Sequence, residues 1–336
     1  MRSPLCLREG SDSSRYRDSM LDFEPFLSDL PALLERRRFG PQFARFDAAT
    51  EGDIYGTIDA VGIAATLGLP LPSGAAAWIN SQARADGSYT DPSHGVIHTT
   101  ASAIGALFVL GEKTPWPAFI DHIGQPGAIG PHLDAMDWSN PWPASHEGAG
   151  LLAIGTMTRD RDDEWISEYF AWLDSNVDPV TGLWPKENIG NIDEWPGLFG
   201  NLGCSFHFHF LYLAHGREIP FAKHLVDTCL ELATGTRAIF DTESIGYPQL
   251  DWAYSLHRAS AQAGYRTEEV FGALRDLGAE SLAKLNSPSE ALVRELADLH
   301  TIGAVVALIA ELKLALGDDV RASFALTPTT DIRPFI

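Results

Sequence analysis

Two stretches of this chain decide its fold class: residues 98–110 read HTTASAIGALFVL, and residues 299–312 read LHTIGAVVALIAEL. Each has a His-Thr pair at its start and continues in small and apolar residues, with few charges around the circumference. A helix that is apolar on nearly every side is buried on nearly every side. Both stretches therefore predict helices in the interior of a helical protein, with polar residues at their starts.

Four further stretches share this pattern, and the six starts lie roughly 40–60 residues apart: residues 57–67, 146–157, 205–214 and 251–263. More polar, amphipathic segments lie between the six: residues 23–37, 73–84, 116–122, 162–176, 220–233 and 267–285. A helix with an apolar stripe must bury that stripe against another layer. The alternation predicts an all-α fold, an (α/α)6 toroid in a single domain, with an open solenoid of helical hairpins as the alternative.

The ends and the cysteines predict one folded domain over residues 20–336, preceded by a disordered tail over residues 1–19. The tail is rich in Ser and Arg and contains no apolar core of a signal peptide. The longest apolar run, residues 302–316, is interrupted by Glu311 and Lys313, so no membrane span is expected. Three cysteines without a CxxC motif predict neither a disulfide framework nor a structural zinc site, and favour a cytoplasmic location.

The charge balance restricts the partners. The chain has 24 Lys and Arg against 45 Asp and Glu, a formal net charge of −21. Such a surface repels phosphate backbones and anionic lipids, so we expect a small-molecule partner, no nucleic acid and no membrane. Neither GxGxxG nor Gly-x4-Gly-Lys-Ser/Thr occurs, and we expect no cofactor and no metal. The oligomeric state stays open.

Two segments of the chain resemble each other. Residues 78–89 read WINSQARADGSY and residues 172–184 read WLDSNVDPVTGLW, each a helix end, a turn with Asp and Gly, and an aromatic residue. These repeats resemble those of two α/α-toroid superfamilies, the prenyltransferase and terpene-cyclase group and a carbohydrate-active group that includes unsaturated glucuronyl hydrolases and sugar epimerases. The resemblance implies the toroid architecture, and it does not select between the two chemistries.

Two details depart from those families. The letters of the Asp-x-Asp-Asp acid motif of terpene cyclases occur at residues 160–163, but at the predicted start of an outer helix, where we expect a helix cap with solvated charges. Cys204 with His207 or His209 only loosely resembles the Asp/Cys/His zinc set of protein prenyltransferase β-subunits. We expect both histidines to be core residues instead.

The starts of the inner helices predict the functional face, because in a toroid they converge on the axis. The segment 130–146, GPHLDAMDWSNPWPASH, is expected to be a loop stiffened by prolines. The predicted catalytic residues are Asp137, His146, Asp251, His98 and His300. The predicted substrate-binding residues are Asp59, His94, Asp134, Trp138, Trp142, Glu147, Trp184, Trp252 and Tyr254.

Structural alternatives accompany these assignments. The Trp residues can anchor loops at the rim, and the Asp residues can cap helices. His94 and His98 share a face, as metal-binding pairs do, if both are helical. Alternatively, His94 lies in the turn after Pro92. His257 is expected to be structural.

Three functions fit the sequence. The first is a carbohydrate-active hydrolase, lyase or epimerase that uses Asp and His for general acid–base catalysis in an axial, Trp-lined pocket. The second is a terpenoid or isoprenoid cyclase-like enzyme, which requires a cavity of apolar and aromatic side chains and is disfavoured by carboxylates and histidines. The third is a non-catalytic binding toroid, favoured if large apolar residues fill the axial end.

Overall fold

The structure is a computed structural model that describes residues 20–160, 163–190, 198–235 and 243–335. Over these residues the chain is mostly helical, so the predicted all-α class is confirmed. The predicted tail, residues 1–19, lies outside the described residues, as do Arg161 and Asp162 of the Asp-x-Asp-Asp segment.

Fourteen α-helices lie in the described ranges. They are α1 (Glu24–Arg36), α2 (Ile54–Leu67), α3 (Ala75–Ser81), α4 (Val96–Val109), α5 (Ile129–Asp134), α6 (Pro141–Thr158), α7 (Glu164–Asn176), α8 (Phe199–Ala214), α9 (Ala222–Gly235), α10 (Tyr247–Ala263), α11 (Thr267–Asn286), α12 (Glu290–Glu295), α13 (Leu299–Leu316) and α14 (Thr329–Ile332). Two short strand pairs accompany them: β1 (Leu21–Asp22) is parallel to β4 (Val320–Arg321), and β2 (Arg38–Phe39) is antiparallel to β3 (Gln42–Phe43).

Six helices, which we call the ring helices, contact one another in cyclic order. Helix α2 packs on α4, α4 on α6, α6 on α8, α8 on α10, α10 on α13, and α13 returns to α2. They contain the six predicted interior stretches, and most of their residues are buried. The sequence pattern therefore identifies the buried helices, because the absence of charges leaves no face for solvent.

The more polar helices lie between the ring helices and flank them. Helix α3 contacts α2 and α4, and α11 contacts α9, α10 and α13. One predicted outer helix is wrong: residues 116–122 form only a short 3-10 turn at Ala118–Ile120. The prolines at 115 and 117 explain the difference, since they remove two backbone donors and disfavour helical geometry in the residue before each.

The prediction of a loop over residues 130–146 is also wrong at both ends. Residues Ile129–Asp134 form α5, and α6 already begins at Pro141. Proline is well tolerated in the first turn of a helix because its missing N–H has no intrahelical partner there. Trp142 and His146 consequently project from a helix rather than from a loop.

The two sequence repeats end in the same contact. The backbone N–H of Tyr89 donates to Thr100 Oγ1 over 3.0 Å, and that of Trp184 donates to Ser205 Oγ over 2.9 Å. In both cases an aromatic residue after the turn is fastened to a hydroxyl near the start of the next ring helix. The repeats thus join each outer segment to the ring helix that follows.

Ring helix α13 is strongly apolar. Among the described residues, the span Leu299–Asp319 alone is long and apolar enough to cross a bilayer, and 67% of its most apolar window is buried in the fold. Such burial is typical of a core helix, which passes the same test of length and composition.

Candidate functional site

Five imidazoles from four ring helices and the turn before one of them lie against one another. We call them the histidine cluster: His94, His98, His146, His207 and His300. The ring centroids of His94 and His98 lie 4.8 Å apart, those of His98 and His146 4.8 Å, and those of His146 and His207 4.8 Å. His300 completes the group, 5.5 Å from His94. The cluster draws on α4, α6, α8 and α13, together with the turn before α4.

Two tyrosines join the cluster from the remaining ring helices. The Tyr55 ring of α2 stacks on His94 at 4.1 Å, and its hydroxyl shares a 2.6 Å hydrogen bond with His98 Nδ1. The Tyr247 hydroxyl at the start of α10 lies 3.2 Å from His300 Nδ1. All six ring helices, or the turns before them, therefore contribute to one site.

Four histidines of the cluster, His94, His98, His146 and His207, have pKa values that favour the neutral form. Burial lowers the pKa of His94 and His146 to about 4, and proximity to His300 adds to the effect. Burial also lowers the pKa of His98 and His207 well below 6.5, with His146 contributing repulsion. A neutral imidazole has one free lone pair, so these groups can accept a proton or a hydrogen bond at pH 7.

The pKa of Asp251 is shifted in the direction opposite to those of the histidines. It lies one turn after Tyr247 in α10, is 1% exposed, and neither carboxyl oxygen has a hydrogen-bond partner in the described part of the chain. Burial raises the pKa of Asp251 well above its ordinary value, which favours the protonated carboxyl. A Cβ on Gly203 would lie 3.3 Å from Asp251 Oδ2 and 3.2 Å from the Trp142 ring, which puts Trp142 beside the acid.

His300 is positioned by a charged network at the start of α13. Asp298 caps the helix by accepting from the His300 backbone N–H over 2.9 Å, and Arg45 holds Asp298 with two contacts of 2.8 Å. On the inner side, Asp59 Oδ1 lies 3.2 Å from His300 Nδ1, while Asp59 Oδ2 is buried without a partner among the described groups. His300 is thus oriented from two directions.

The last described residues reach the cluster from the other end of the ring helices. The hydroxyls of Thr329 in α14 and Thr66 in α2 bond over 2.8 Å, where α2 ends. From there the chain runs to Phe335, whose ring lies 5.1 Å from His98 and 6.4 Å from Phe210. Residues 327–335, which we call the axial segment, therefore border the cluster.

Three predicted site residues lie in the core, away from the cluster. Trp184 is buried and its Nε1–H donates to Leu173 O over 2.9 Å, and the buried Trp252 donates in the same way to Cys229 O over 2.8 Å. Both indoles are bonded to outer helices, α7 and α9. Tyr254 is buried one turn deeper than Asp251.

Four other predicted site residues lie outside the histidine cluster. Asp137 is exposed and accepts from the backbone N–H of Ser139 over 3.0 Å, which lowers its pKa. Asp134 accepts from Trp172 Nε1–H over 2.7 Å, and Trp138 stacks on that same indole at 5.5 Å. None of these contacts involves the cluster.

Glu147 is the fourth: its side chain is 46% exposed, with Oε1 3.3 Å from His132 Nε2. The structure therefore brings together His94, His98, His146, His300, Asp59, Asp251 and Trp142. It does not bring Asp134, Asp137, Trp138, Glu147, Trp184, Trp252 or Tyr254 to them.

Several predictions about structural roles are resolved. Gly95 precedes the first residue of α4, so His94 lies in the turn, and only His98 is helical. His209 is buried, bonds to Ser255 over 3.0 Å, and has its pKa lowered by burial to about 3. His207, predicted as a core residue, is instead part of the cluster. Asp163 caps α7 by accepting from the Trp165 N–H over 2.9 Å, as predicted for the Asp-x-Asp-Asp letters.

Sequence reasoning did not find Tyr247, Arg333, Phe335 or the close approach of Trp142 and Asp251 to Gly203. Tyr247 had a detectable signal, because it lies four residues before Asp251 and hence on the same helical face. Arg333 and Phe335 follow the last predicted helix and carry no periodicity. Among the described residues, no group of three or more His, Cys, Asp and Glu side chains is arranged to hold a metal ion.

A polar cleft of about 230 Å³ adjoins the cluster and is lined by Gly52, Asp53, Ile54, Trp78, Gln82, Tyr89, Thr90 and Asp91. Asp91 connects it to the cluster, since Oδ1 lies 3.8 Å from His94 Nδ1. Comparison with protein-family models, with curated proteins and with solved structures gives no match to this chain. The toroid resemblance and the predicted chemistry accordingly stay predictions.

Proposed function

We propose that the described helices belong to an (α/α)6 toroid, with the histidine cluster in a chamber at one end of its axis. The cyclic contacts of the six ring helices support this architecture. The cluster side chains support the chamber, because all six ring helices, or the turns before them, contribute a residue to one site. The function proposed below uses the chamber and not the loop around Asp137.

The protein is then an acid–base enzyme, a hydrolase, lyase or epimerase acting on a hydroxylated, saccharide-like substrate. One observation carries this proposal: Trp142 lies beside Asp251, whose pKa is raised and whose oxygens have no partner among the described residues, and one helical turn before His146, whose pKa is lowered. An acid and a base of shifted pKa in one site are what proton transfer requires at neutral pH. Burying such groups unpaired is costly unless a ligand pairs them.

Each group has a distinct role. The Asp251 carboxyl donates its proton to the oxygen or carbon that gains one, and the neutral His146 takes up the proton that the substrate loses. Tyr55 holds His98 through its hydroxyl, and Asp59 holds His300. Trp142 beside Asp251 offers an apolar face on which the C–H face of a sugar ring stacks, while imidazole nitrogens bond its hydroxyls.

The two alternatives fit less well. An isoprenoid diphosphate needs several cations, whereas this site holds histidines, carboxyls and a single buried arginine. A non-catalytic binding toroid was expected to have its axial end filled by large apolar residues. Here Phe335 of the axial segment contacts the cluster, but the side chains that the ring helices contribute to the cluster are polar.

The test is proton NMR in D₂O with the purified protein and a panel of mono- and disaccharides and sugar acids. One spectrum distinguishes the three reactions: hydrolysis gives new anomeric signals, elimination gives vinyl signals, and epimerisation exchanges a C–H for deuterium. We expect turnover of at least one member of the panel.

The matched variants are Asp251→Asn and Asp137→Asn, the same chemical change inside and outside the chamber. Loss of a general acid or base costs about 10²–10⁴-fold in rate. Asp251→Asn and His146→Gln are expected to lose activity on that scale, and Asp137→Asn to keep it. Full activity in Asp251→Asn, or loss in Asp137→Asn, would overturn the assignment.

A further inference from the structure

One buried cation of the axial segment is not used by the function proposed above. Arg333 is 4% exposed, and its guanidinium passes two glycines of the ring helices. A Cβ on Gly62 of α2 would lie 3.3 Å from Arg333 Nη2, and one on Gly105 of α4 would lie 3.4 Å from Arg333 Cδ. Glycine at these two positions leaves the room through which this side chain runs.

Among the described residues, this guanidinium lacks the partners that a buried arginine normally has. Arg333 Nε and Nη1 are buried and donate to no group in the described part of the chain. The acidic side chain that acts on the charge of Arg333 is Asp59, one turn before Gly62 in α2. Among the described residues, however, no ion pair within 4 Å joins Arg333 to Asp59. Asp59 Oδ2 is itself buried without a partner. Removing an ion from water without pairing it is strongly unfavourable.

The neighbours of Arg333 define what would pair with it. Asp59, Tyr247 and Tyr55 all act on its charge, and Asp59 and Tyr247 each lie 3.2 Å from His300 Nδ1, so the guanidinium lies next to the cluster. Among the described residues, Arg333 is the cation near Asp59 that is left to bind an anion, since Arg45 already pairs with Asp298 at the start of α13. A dianionic phosphate would face Asp59 with too little positive charge. A carboxylate carries one charge and accepts charge-assisted hydrogen bonds from a guanidinium.

We propose that Arg333 binds the carboxylate of the substrate, which makes the substrate a hydroxylated carboxylic acid. This inference rests on the proposed function, because it places the carboxylate at the floor of the same chamber. The hydroxyl-bearing carbons then lie above it, between Asp251 and the histidine cluster. The unpaired donors of Arg333 and the unpaired Asp251 are thereby satisfied by one molecule.

The experiment measures binding of three matched pairs that differ in a carboxylate: D-gluconate and sorbitol, D-glucuronate and D-glucose, L-lactate and propane-1,2-diol. Each is titrated into the full-length chain by calorimetry and by thermal shift. The variants are Arg333→Met, Arg333→Lys and, as the surface control, Arg321→Met, whose arginine is 62% exposed and pairs with Asp22.

We expect at least one acid to bind more tightly than its neutral partner. Arg333→Met should weaken that acid at least about tenfold and leave the neutral partner unchanged, Arg333→Lys should keep part of the preference, and Arg321→Met all of it. Unliganded Arg333→Met should melt at or above the temperature of the wild type, because a buried, unpaired charge has been removed.

Three results would overturn the proposal. The first is that none of the three acids binds more tightly than its neutral partner, and the second is that Arg333→Met binds the acid as tightly as the wild type. The third is that unliganded Arg333→Met is unfolded or melts several degrees lower than the wild type. This last result would show that Arg333 is a structural partner of Asp59. The outcome separates this inference from the proposed function. If acids bind through Arg333 but are never turned over, the carboxylate site at Arg333 is supported and the proposed acid–base enzyme is contradicted.

Discussion

The two ends of the ring helices bury the same types of side chain in opposite ways. Where α10 and α13 end, Glu311 is 1% exposed and accepts from Arg258 over 2.8 and 2.9 Å, and its Oε1 lies 2.5 Å from His257 Nδ1. Where the ring helices begin, Asp251 is equally buried and has no partner among the described residues.

The pKa values follow the partners. Burial alone raises the pKa of Glu311, but the bonds from His257 and Arg258 outweigh it, and the net shift is downward. Burial of Asp251 meets no such compensation, and its pKa rises. Paired groups at one end hold the fold together, and unpaired groups at the other end keep their bonding capacity for a ligand.

Breaking the paired end should have the largest effect on stability. Glu311→Gln leaves the guanidinium of Arg258 without its buried counter-charge, and losing one partner of a buried ion pair costs about 3–5 kcal/mol. Denaturant unfolding of this variant is compared with Asp251→Asn, for which we expect no loss beyond about 1 kcal/mol, since the carboxyl it replaces is already neutral. Equal losses in the two variants would erase the contrast between the ends.

The histidine cluster should make the free energy of unfolding sensitive to mild acid. His94, His98, His146 and His207 have lowered pKa values in the folded state, so the unfolded chain takes up protons first as the pH falls below about 6.5. The free energy of unfolding should therefore fall between pH 6.5 and 5, whereas the contribution of Glu311 is lost only below about pH 4.5.

One variant isolates this effect. With a folded pKa of about 4 for His146, the substitution His146→Gln should reduce the loss of stability between pH 6.5 and 5 by about 2 kcal/mol. His122→Gln, which removes an exposed imidazole outside the cluster, is the control for substitution alone. An unchanged pH dependence in His146→Gln would show that this imidazole is not held neutral by burial.

The smallest expected effect on stability concerns the space beside Asp251. Gly203→Ala places a methyl 3.2 Å from the Trp142 ring and 3.3 Å from Asp251 Oδ2, and the gain in helix propensity, about 1 kcal/mol, offsets that crowding. We expect nearly unchanged stability with an activity reduced about tenfold, since the methyl occupies the place of the substrate.

The matched control is Gly272→Ala in α11, where nothing lies within 4 Å of the added Cβ. It should gain about 0.5–1 kcal/mol of stability and keep full activity. If Gly203→Ala also keeps full activity, the space between Trp142 and Asp251 is not part of the substrate site.

The interior of the fold was predictable from sequence to a large extent. Stretches with few charges identified all six ring helices, and the two repeats identified the turns that precede α4 and α8. A third copy of the same contact, the Phe43 N–H donating to Thr57 Oγ1 over 3.0 Å, has no comparable sequence motif. The failures fall where proline decides the geometry: it prevents a helix near residue 117 and begins one at Pro141.

The site was predictable only by position along the helices. His98, His146 and His300 mark ring-helix starts, and the cyclic packing brings them together. Asp137-Trp138 and Asp251-Trp252 look alike in sequence, yet one pair precedes a helix at the surface and the other lies inside one. Burial and tertiary partners, which no local pattern encodes, make this difference. The contribution of the axial segment depends on long-range packing and left no signal.

The protonation state of Asp251 tests the account most directly. The carboxyl carbon of Asp251 can be identified by ¹³C NMR as the resonance of carboxyl-labelled aspartate that is absent from Asp251→Asn, and it can then be followed with pH. We predict that this carboxyl is still protonated at pH 7, where an ordinary aspartate of pKa about 3.9 is ionised. A titration midpoint near 4 or below would contradict the proposed acid and, with it, the distinction between the two ends of the ring.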